Sequence, residues 1–248
     1  MSLWRLELLR MVRTHRWSIL VGIYVLFGVL GPVSARYLNE LVSTFAGDIT
    51  IIVPDPRPVD GIAQFLSNVT QLGVLAVVVI AASALAIDAR PEVAAFLRTR
   101  VPRPSALLLP RYAVVTATSV LALLLGTAAA WALTVPLLGE LAVGSMLLGT
   151  LLGALYLAFA VAVVAAAGAG LGGLLPTVLL SLLVLLVLPV LGVLPAVQPW
   201  LPSHLVLAPV LLLEGEEPTS YLRAAAVTLV VTLALLVLAS RLVERREL

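Results

Sequence analysis

Apolar residues occupy six long stretches of the chain, and short polar segments separate them. A membrane helix needs roughly 20 apolar residues to cross about 30 Å of hydrocarbon. The pattern therefore predicts an all-α, polytopic membrane protein whose residues 1–248 form a single transmembrane domain. The predicted spans are residues 17–33, 72–87 with an alternative start near Phe65, 112–138, 141–167, 174–194 and 221–242.

The division between the fourth and fifth spans depends on glycine and proline alone. The chain stays apolar from 141 to 194, and only Gly168, Gly170, Gly172, Gly173 and Pro176 interrupt it. Such a cluster is typical of a turn. The alternative is a single kinked helix, but this stretch is too long for one crossing.

The composition excludes a water-soluble globular enzyme. Apolar residues make up 62% of the chain and charged residues 11%, whereas ordinary soluble domains have about 45–50% and about 25%. Cysteine is absent, which excludes disulfides and thiolate metal sites. With two histidines, His15 and His204, and a net charge of +2, neither a histidine-rich metal site nor a nucleic-acid partner is expected.

The distribution of arginine predicts the orientation in the membrane. Twelve of the fifteen basic residues, all arginine, lie in residues 1–16, 88–111 and 241–246. Cytoplasmic loops carry an excess of basic residues. We therefore expect a protein of the bacterial plasma membrane with both termini on the cytoplasmic side. The segments 34–68 and 195–220, which contain most of the acids, are then external. Prolines break the second segment, which is expected to form short helices lying half in the outer leaflet.

The first 35 residues also fit a cleaved signal peptide. They combine an arginine-rich start, an apolar stretch and the small residues 33–35. Cleavage would leave five spans.

Residues 1–16 predict an amphipathic helix lying in the membrane interface. Apolar side chains recur at helical spacing, Arg side chains lie toward the other side, and Glu7 interrupts the apolar face. A helix of this kind binds lipid headgroups through its basic residues. The alternative is a basic tail that only sets the topology. The apolar positions are Trp4, Leu8, Met11 and Val12, and the basic ones are Arg5, Arg13 and Arg16.

A second short helix is predicted in the loop 88–111. Pro91 suits the first turn of a helix, and Pro102 and Pro104 end it. Within it, Val93, Phe96, Leu97 and Arg100 fall on one side. Such a helix either docks into a groove on a partner or lies on the lipid surface, and periodicity does not separate these alternatives.

The layout of the chain resembles a type-2 ABC transporter permease. The order of basic helix, span, long external loop, span and short loop helix is similar, and F-L-R-T-R-V-P-R at 96–103, followed by leucines and Arg111-Tyr112, resembles the family's motif before the third span. Two departures occur: the family's Gly-Thr pair is absent, and Pro102 lies one place later.

The resemblance implies the membrane half of an exporter of two permease copies, identical or different. Its ABC ATPase subunit would be a separate chain that holds ATP and Mg²⁺, because this chain has no phosphate loop and no lysine to build one. This chain itself would carry no cofactor or metal and catalyse nothing. The residues implied in docking the ATPase are Asp88, Glu92, Val93, Phe96, Leu97, Arg98, Arg100 and Arg103.

Other functions remain open at this stage. No predicted span carries an acid, arginine or histidine at its middle, which disfavours an ion-coupled secondary transporter. A passive membrane anchor or assembly subunit fits the same pattern. The residue patterns of intramembrane proteases do not occur in this sequence. Spans lined by neutral and hydroxyl side chains suit a lipid, a hydrophobic drug or an amphipathic peptide as substrate.

Overall fold

A computed structural model describes residues 3–45, 55–85 and 105–245, with only the backbone described at 39–45 and 105–107. These residues form helices and connecting turns, with no strand among them. The helices are α1 (Leu3–Arg13), α2 (Arg16–Phe45), α3 (Pro58–Asn68), α4 (Val74–Leu85), α5 (Ser105–Leu138), α6 (Val143–Leu171), α7 (Leu174–Leu191), α8 (Ala208–Leu213) and α9 (Leu222–Arg245). A π-helical turn (Val69–Gly73) joins α3 to α4, and 3₁₀ turns occur at Gln198–Trp200, Pro202–Val206 and Pro218–Tyr221.

Six segments of the described chain are long and apolar enough to cross a membrane. The predicted number of spans and the all-helical, multi-pass architecture are therefore confirmed. The segments are Arg16–Leu38, Pro58–Leu85, Leu108–Leu138, Val143–Leu171, Leu174–Leu191 and Pro218–Arg245.

The fourth and fifth spans are separate helices. Gly172 has a φ of +75° and ends α6 in the left-handed conformation, with its N–H donating to the Gly168 carbonyl at 3.0 Å. Glycine adopts this conformation without a steric penalty. Gly173 is extended, and α7 begins at Leu174 with Pro176 in its first turn. The glycine cluster is thus a turn, as predicted.

Helices also occupy much of the segment 34–68 that was expected as an external loop. α2 continues through Pro32 to Phe45, and α3 begins at Pro58. Proline is tolerated inside membrane helices because neighbouring groups satisfy the freed carbonyl. A methyl group added at Gly31 would collide with Phe65 of α3, so the two helices are in close contact there.

The third span begins earlier than expected. α5 starts at Ser105, whereas the apolar stretch suggested 112, so Arg111 lies inside the helix. α7 ends at Leu191, three residues before the predicted 194. Apolar length alone misplaces both ends, because a helix end depends on its caps and partners as well as on hydropathy.

α6 is the most enclosed span, and it contacts α4, α5, α7, α8 and α9. Between membrane helices, close packing replaces the hydrophobic effect, because lipid tails are as apolar as leucine. The α2–α5 crossing shows this most clearly. A methyl group at Gly28 would collide with the Gly126 carbonyl oxygen, and one at Gly126 would lie 2.8 Å from the Tyr24 carbonyl oxygen.

The bundle has two distinct ends. At the Arg111 end, Glu7 of α1, Ala84 of α4 and Arg111 of α5 lie together. The opposite end is here called the Glu214 end. There Nη2 of Arg57, the residue before α3, lies 3.5 Å from Oε1 of Glu214, the residue after α8. There a side chain at Gly149 of α6 would collide with Pro209 of α8.

Candidate functional site

The predicted ATPase-docking residues lie outside the described part of the chain. All eight fall within residues 86–104, for which no placement is described. They are Asp88, Glu92, Val93, Phe96, Leu97, Arg98, Arg100 and Arg103. The described helices nevertheless define where this segment is attached, since it joins the end of α4 to the start of α5 at the Arg111 end.

The predicted interfacial helix is helical as α1, but its apolar face is divided. Trp4 and Leu8 are more than half exposed, while Met11 is buried against the bundle. Arg5 and Arg13 are exposed, and Arg16 is half-buried as the first residue of α2. The inner side of α1 therefore packs on the bundle, and its outer apolar side chains are not covered by the described residues.

Glu7, which interrupts the apolar face of α1, forms a buried ion pair that attaches α1 to α5. Arg111 Nε donates to Glu7 Oε1 at 3.0 Å, and the two side chains are 5% and 8% exposed. Arg10 lies one turn further along α1, with Nη1 3.8 Å from the same carboxylate. A buried carboxylate needs such a partner, because an isolated charge in a low-dielectric interior is costly.

Sequence reasoning did not find this pair. Apolar length starts the third span at 112 and so puts Arg111 in the loop, while the amphipathic pattern of residues 1–16 gives Glu7 no role. The available signal was the mismatch itself, since an acid on an apolar helical face is expensive unless it meets a base. Which base it meets is decided across 104 residues of chain, and only the fold shows that.

A second region of interest is a cleft of about 460 Å³ in the half of the bundle toward the Glu214 end. It lies between α4, α6, α7 and the segment that follows α7. Apolar side chains of α4 and α7 form one side of it, including Leu75, Leu182 and Leu186. Its polar lining residues are Thr70, Gln71, Tyr156, Gln198, Ser203 and His204.

The π-helical turn brings two of these polar residues to the cleft. Val69–Gly73 contains one wide turn between α3 and α4, and Thr70 and Gln71 line the cleft from it. Gly73 faces the Tyr24 ring, where an added methyl group would lie 3.2 Å away. π-helical turns occur frequently at functional sites because they rotate the following side chains out of the regular helical register.

The segment after α7 forms the other wall of the cleft. The His204 ring stacks on Tyr221, with 4.8 Å between their centroids, and the Tyr221 hydroxyl donates to Glu216. The Arg223 guanidinium lies 5.6 Å from the centroid of Trp200. These contacts tie the proline-rich segment to the start of α9, so the wall that carries Ser203 and His204 is held in place.

In the described ranges, no three side chains among His, Cys, Asp and Glu come close enough together to hold a metal ion. No known protein family matches the chain. No curated protein matches it either.

Proposed function

We propose that the chain is the permease subunit of an ATP-driven ABC exporter in a bacterial plasma membrane. Two permease copies, identical or different, would form the path, and a separate ABC ATPase subunit would bind ATP and Mg²⁺ and hydrolyse the nucleotide. The transported molecule is hydrophobic or amphipathic: a lipid, a drug or a peptide. The six apolar spans and the resemblance of residues 1–40 and 88–112 to type-2 permeases support this proposal.

The buried Glu7–Arg111 ion pair is the observation that carries the proposal. A transporter driven from outside the membrane must transmit a displacement of its docking segment to its spans. Residues 86–104 lead directly into α5, and the ion pair fastens the start of α5 to α1. Separating the two side chains would leave buried charges without partners, which is costly, so the pair should hold the start of α5 to α1 when the docking segment moves.

The orientation follows from charge. The Arg111 end would face the cytoplasm, because most arginines lie in the segments attached to it. α1 would then lie in the cytoplasmic interface, with Arg5 and Arg13 near lipid phosphates and Trp4 and Leu8 among the lipid chains. The ATPase would dock on the segment 88–103, where Phe96 and Leu97 supply the apolar contact.

Co-purification tests the proposal most directly. The tagged chain is extracted from its native cells in a mild detergent, and the proteins recovered with it are identified by mass. We expect an ATPase subunit in equal stoichiometry and ATP turnover by the complex. Phe96→Asp should abolish docking and leave expression and membrane insertion intact, while Arg13→Asp, on the outer side of α1, serves as a control with normal docking. Recovery of the chain alone, even after crosslinking, would contradict the proposal.

A further inference from the structure

The polar side chains of the cleft differ from most other hydroxyls of the spans in their hydrogen bonding. Outside the cleft, the hydroxyls of Tyr24 and Thr116 also lack a partner among the described residues. Eight hydroxyls in the spans donate to a carbonyl one turn earlier in their own helix, at 2.6–2.9 Å. The six polar residues of the cleft make no side-chain hydrogen bond to any described residue. The eight are Thr118, Ser119, Thr134, Thr150, Thr177, Ser181, Thr228 and Thr232.

Tyr156 makes this difference sharper. Its side chain lines the cleft and belongs to a residue only 5% exposed, yet its hydroxyl has no partner among the described residues. Its oxygen keeps some accessible surface, unlike the hydroxyl oxygens of Tyr24 and Thr116, which are fully buried without a partner. A hydrogen-bonding occupant of the cleft can therefore reach the Tyr156 hydroxyl, and so can water. The arrangement points to a molecule that offers several hydrogen-bonding groups at once.

The apolar side of the cleft suits a hydrocarbon chain on the bound molecule. Leu182, Leu185 and Leu186 of α7 line it, and Leu186 is 68% exposed on the outer surface of the bundle. In a membrane this surface contacts lipid chains, so the cleft is open sideways to the hydrocarbon. A hydrocarbon chain lying on α7 would continue from the cleft into the bilayer without leaving an apolar environment.

The lining contains no acidic residue, no arginine and no lysine. Glu216 is the acid linked to the cleft by contacts. It accepts a hydrogen bond from Tyr221, and the Tyr221 ring stacks on His204. A charged head group would therefore meet only amide, hydroxyl and imidazole groups. Placing an unpaired charge in such a site is costly, whereas an uncharged head group loses little.

We propose that the cleft binds an amphipathic molecule with an uncharged, hydroxyl- or amide-rich head group on Gln71, Gln198, Ser203 and His204 and a hydrocarbon chain along α7. Its volume, about 460 Å³, lies within the range of about 300–1,000 Å³ of small-molecule sites. This inference rests on the proposed function in one respect: it takes the bound molecule to be the one exported. Binding itself needs no ATPase.

Photolabelling of the full chain in phosphatidylcholine nanodiscs tests this site without an ATPase. The probe is dodecyl glucoside with a photoreactive diazirine on its alkyl chain, and labelled peptides are located by mass. We expect saturable labelling of α7 and of the π-helical turn, displaced by unlabelled dodecyl glucoside. Dodecyl phosphate, which has the same chain and a charged head, should compete at least about fivefold less well.

Two matched variants isolate the head-group contacts. Gln71→Leu and Gln198→Leu should each raise the half-saturating probe concentration about fivefold, the equivalent of one lost hydrogen bond. Gln64→Leu is the control, because Gln64 is exposed on α3 and lies outside the cleft. Its half-saturating concentration should equal that of the parent chain.

Several results would overturn the proposal. Unsaturable labelling spread over all lipid-facing helices would show that the cleft binds nothing, as would unchanged half-saturation in both glutamine variants. Stronger competition by dodecyl phosphate would refute the uncharged head group. Failure of the exporter proposal has a different signature, since saturable labelling of a chain that recruits no ATPase upholds the cleft and removes only the transport role.

Discussion

The Arg111 end and the cleft use polar residues in opposite ways. At the Arg111 end, Glu7 and Arg111 are buried, charged and bonded to each other at 3.0 Å. In the cleft, Gln71 and Gln198 are exposed. These two residues and Ser203 are neutral, and their side chains make no hydrogen bond to the described residues. A charge in a low-dielectric interior requires a permanent partner, whereas neutral groups tolerate exchange with water or a ligand. The first arrangement fastens helices together, and the second leaves contacts free for a ligand.

The largest expected effect comes from breaking the ion pair. Arg111→Leu leaves Glu7 buried without its closest partner and should lower the free energy of unfolding by about 3–5 kcal/mol. The double variant Glu7→Leu/Arg111→Leu should recover most of that loss, because it leaves no buried charge. Unfolding in mixed detergent micelles measures both. Arg13→Leu, at an exposed position of α1, is the control and should change stability little. Equal losses in the single and double variants would contradict the assignment of the pair.

A smaller effect is expected where the wall of the cleft is fixed to the bundle. Gly149→Ala places a methyl group against Pro209 of α8 and should lower the free energy of unfolding by about 1–3 kcal/mol. The same change at Gly144 meets nothing within 4 Å, and it should raise stability by up to about 1 kcal/mol through helix propensity. The two variants therefore move in opposite directions. Thermal unfolding in detergent measures the difference, and equal shifts would show that α8 does not pack as described.

Removal of one hydroxyl tests how the histidine of the cleft is held. Tyr221→Phe deletes the hydrogen bond to Glu216 and should cost about 1 kcal/mol. It should also loosen the stacked His204 and weaken binding of the alkyl glucoside probe. Tyr37→Phe, at a tyrosine that is 45% exposed, is the matched control with neither effect. Loss of stability without any change in probe binding would separate Tyr221 from the cleft.

The smallest change in stability is expected when a serine hydroxyl is removed, either one bonded within its own helix or one that lines the cleft. Ser181 donates to the Thr177 carbonyl in its own helix, and Ser203 lines the cleft with no such bond. Alanine at either position should alter the free energy of unfolding by less than about 0.6 kcal/mol. Only Ser203→Ala should weaken probe binding, measured by photolabelling. Equal binding by both variants would place Ser203 outside the head-group contact.

The sequence was most informative where apolar length or glycine chemistry decides the structure. The six spans follow from hydropathy, and the break at Gly172 follows from a conformation that glycine adopts readily. It was least informative at helix ends. Residues 34–45 and 58–68 are helical although they contain Glu40, Pro58 and Asp60, because a helix end depends on caps and partners as well as on apolar length.

Side-chain partners across the chain lay beyond sequence reasoning. Trp4, Leu8 and Met11 share a helical spacing, but only the docking of α1 shows that Met11 turns inward while Trp4 and Leu8 stay exposed. The polar residues of the cleft are separated by up to 134 positions, from Thr70 to His204, and none of them forms a motif. The predicted docking residues, Phe96 and Leu97 among them, stay a prediction from sequence, since they lie outside the described residues.

The sequence by itself determined that this is a six-span helical membrane protein with an arginine bias, because hydrocarbon thickness and backbone hydrogen bonding leave an apolar chain few other solutions. Only the tertiary structure decided that Glu7 meets Arg111 and that Tyr156, Gln71 and His204 border one cleft. The reason is physical: helix formation in lipid is local, so it can be predicted from nearby residues. The pairing of polar side chains instead depends on which helices pack together, and that is settled by small residues such as Gly28, Gly126 and Gly149 at the crossings.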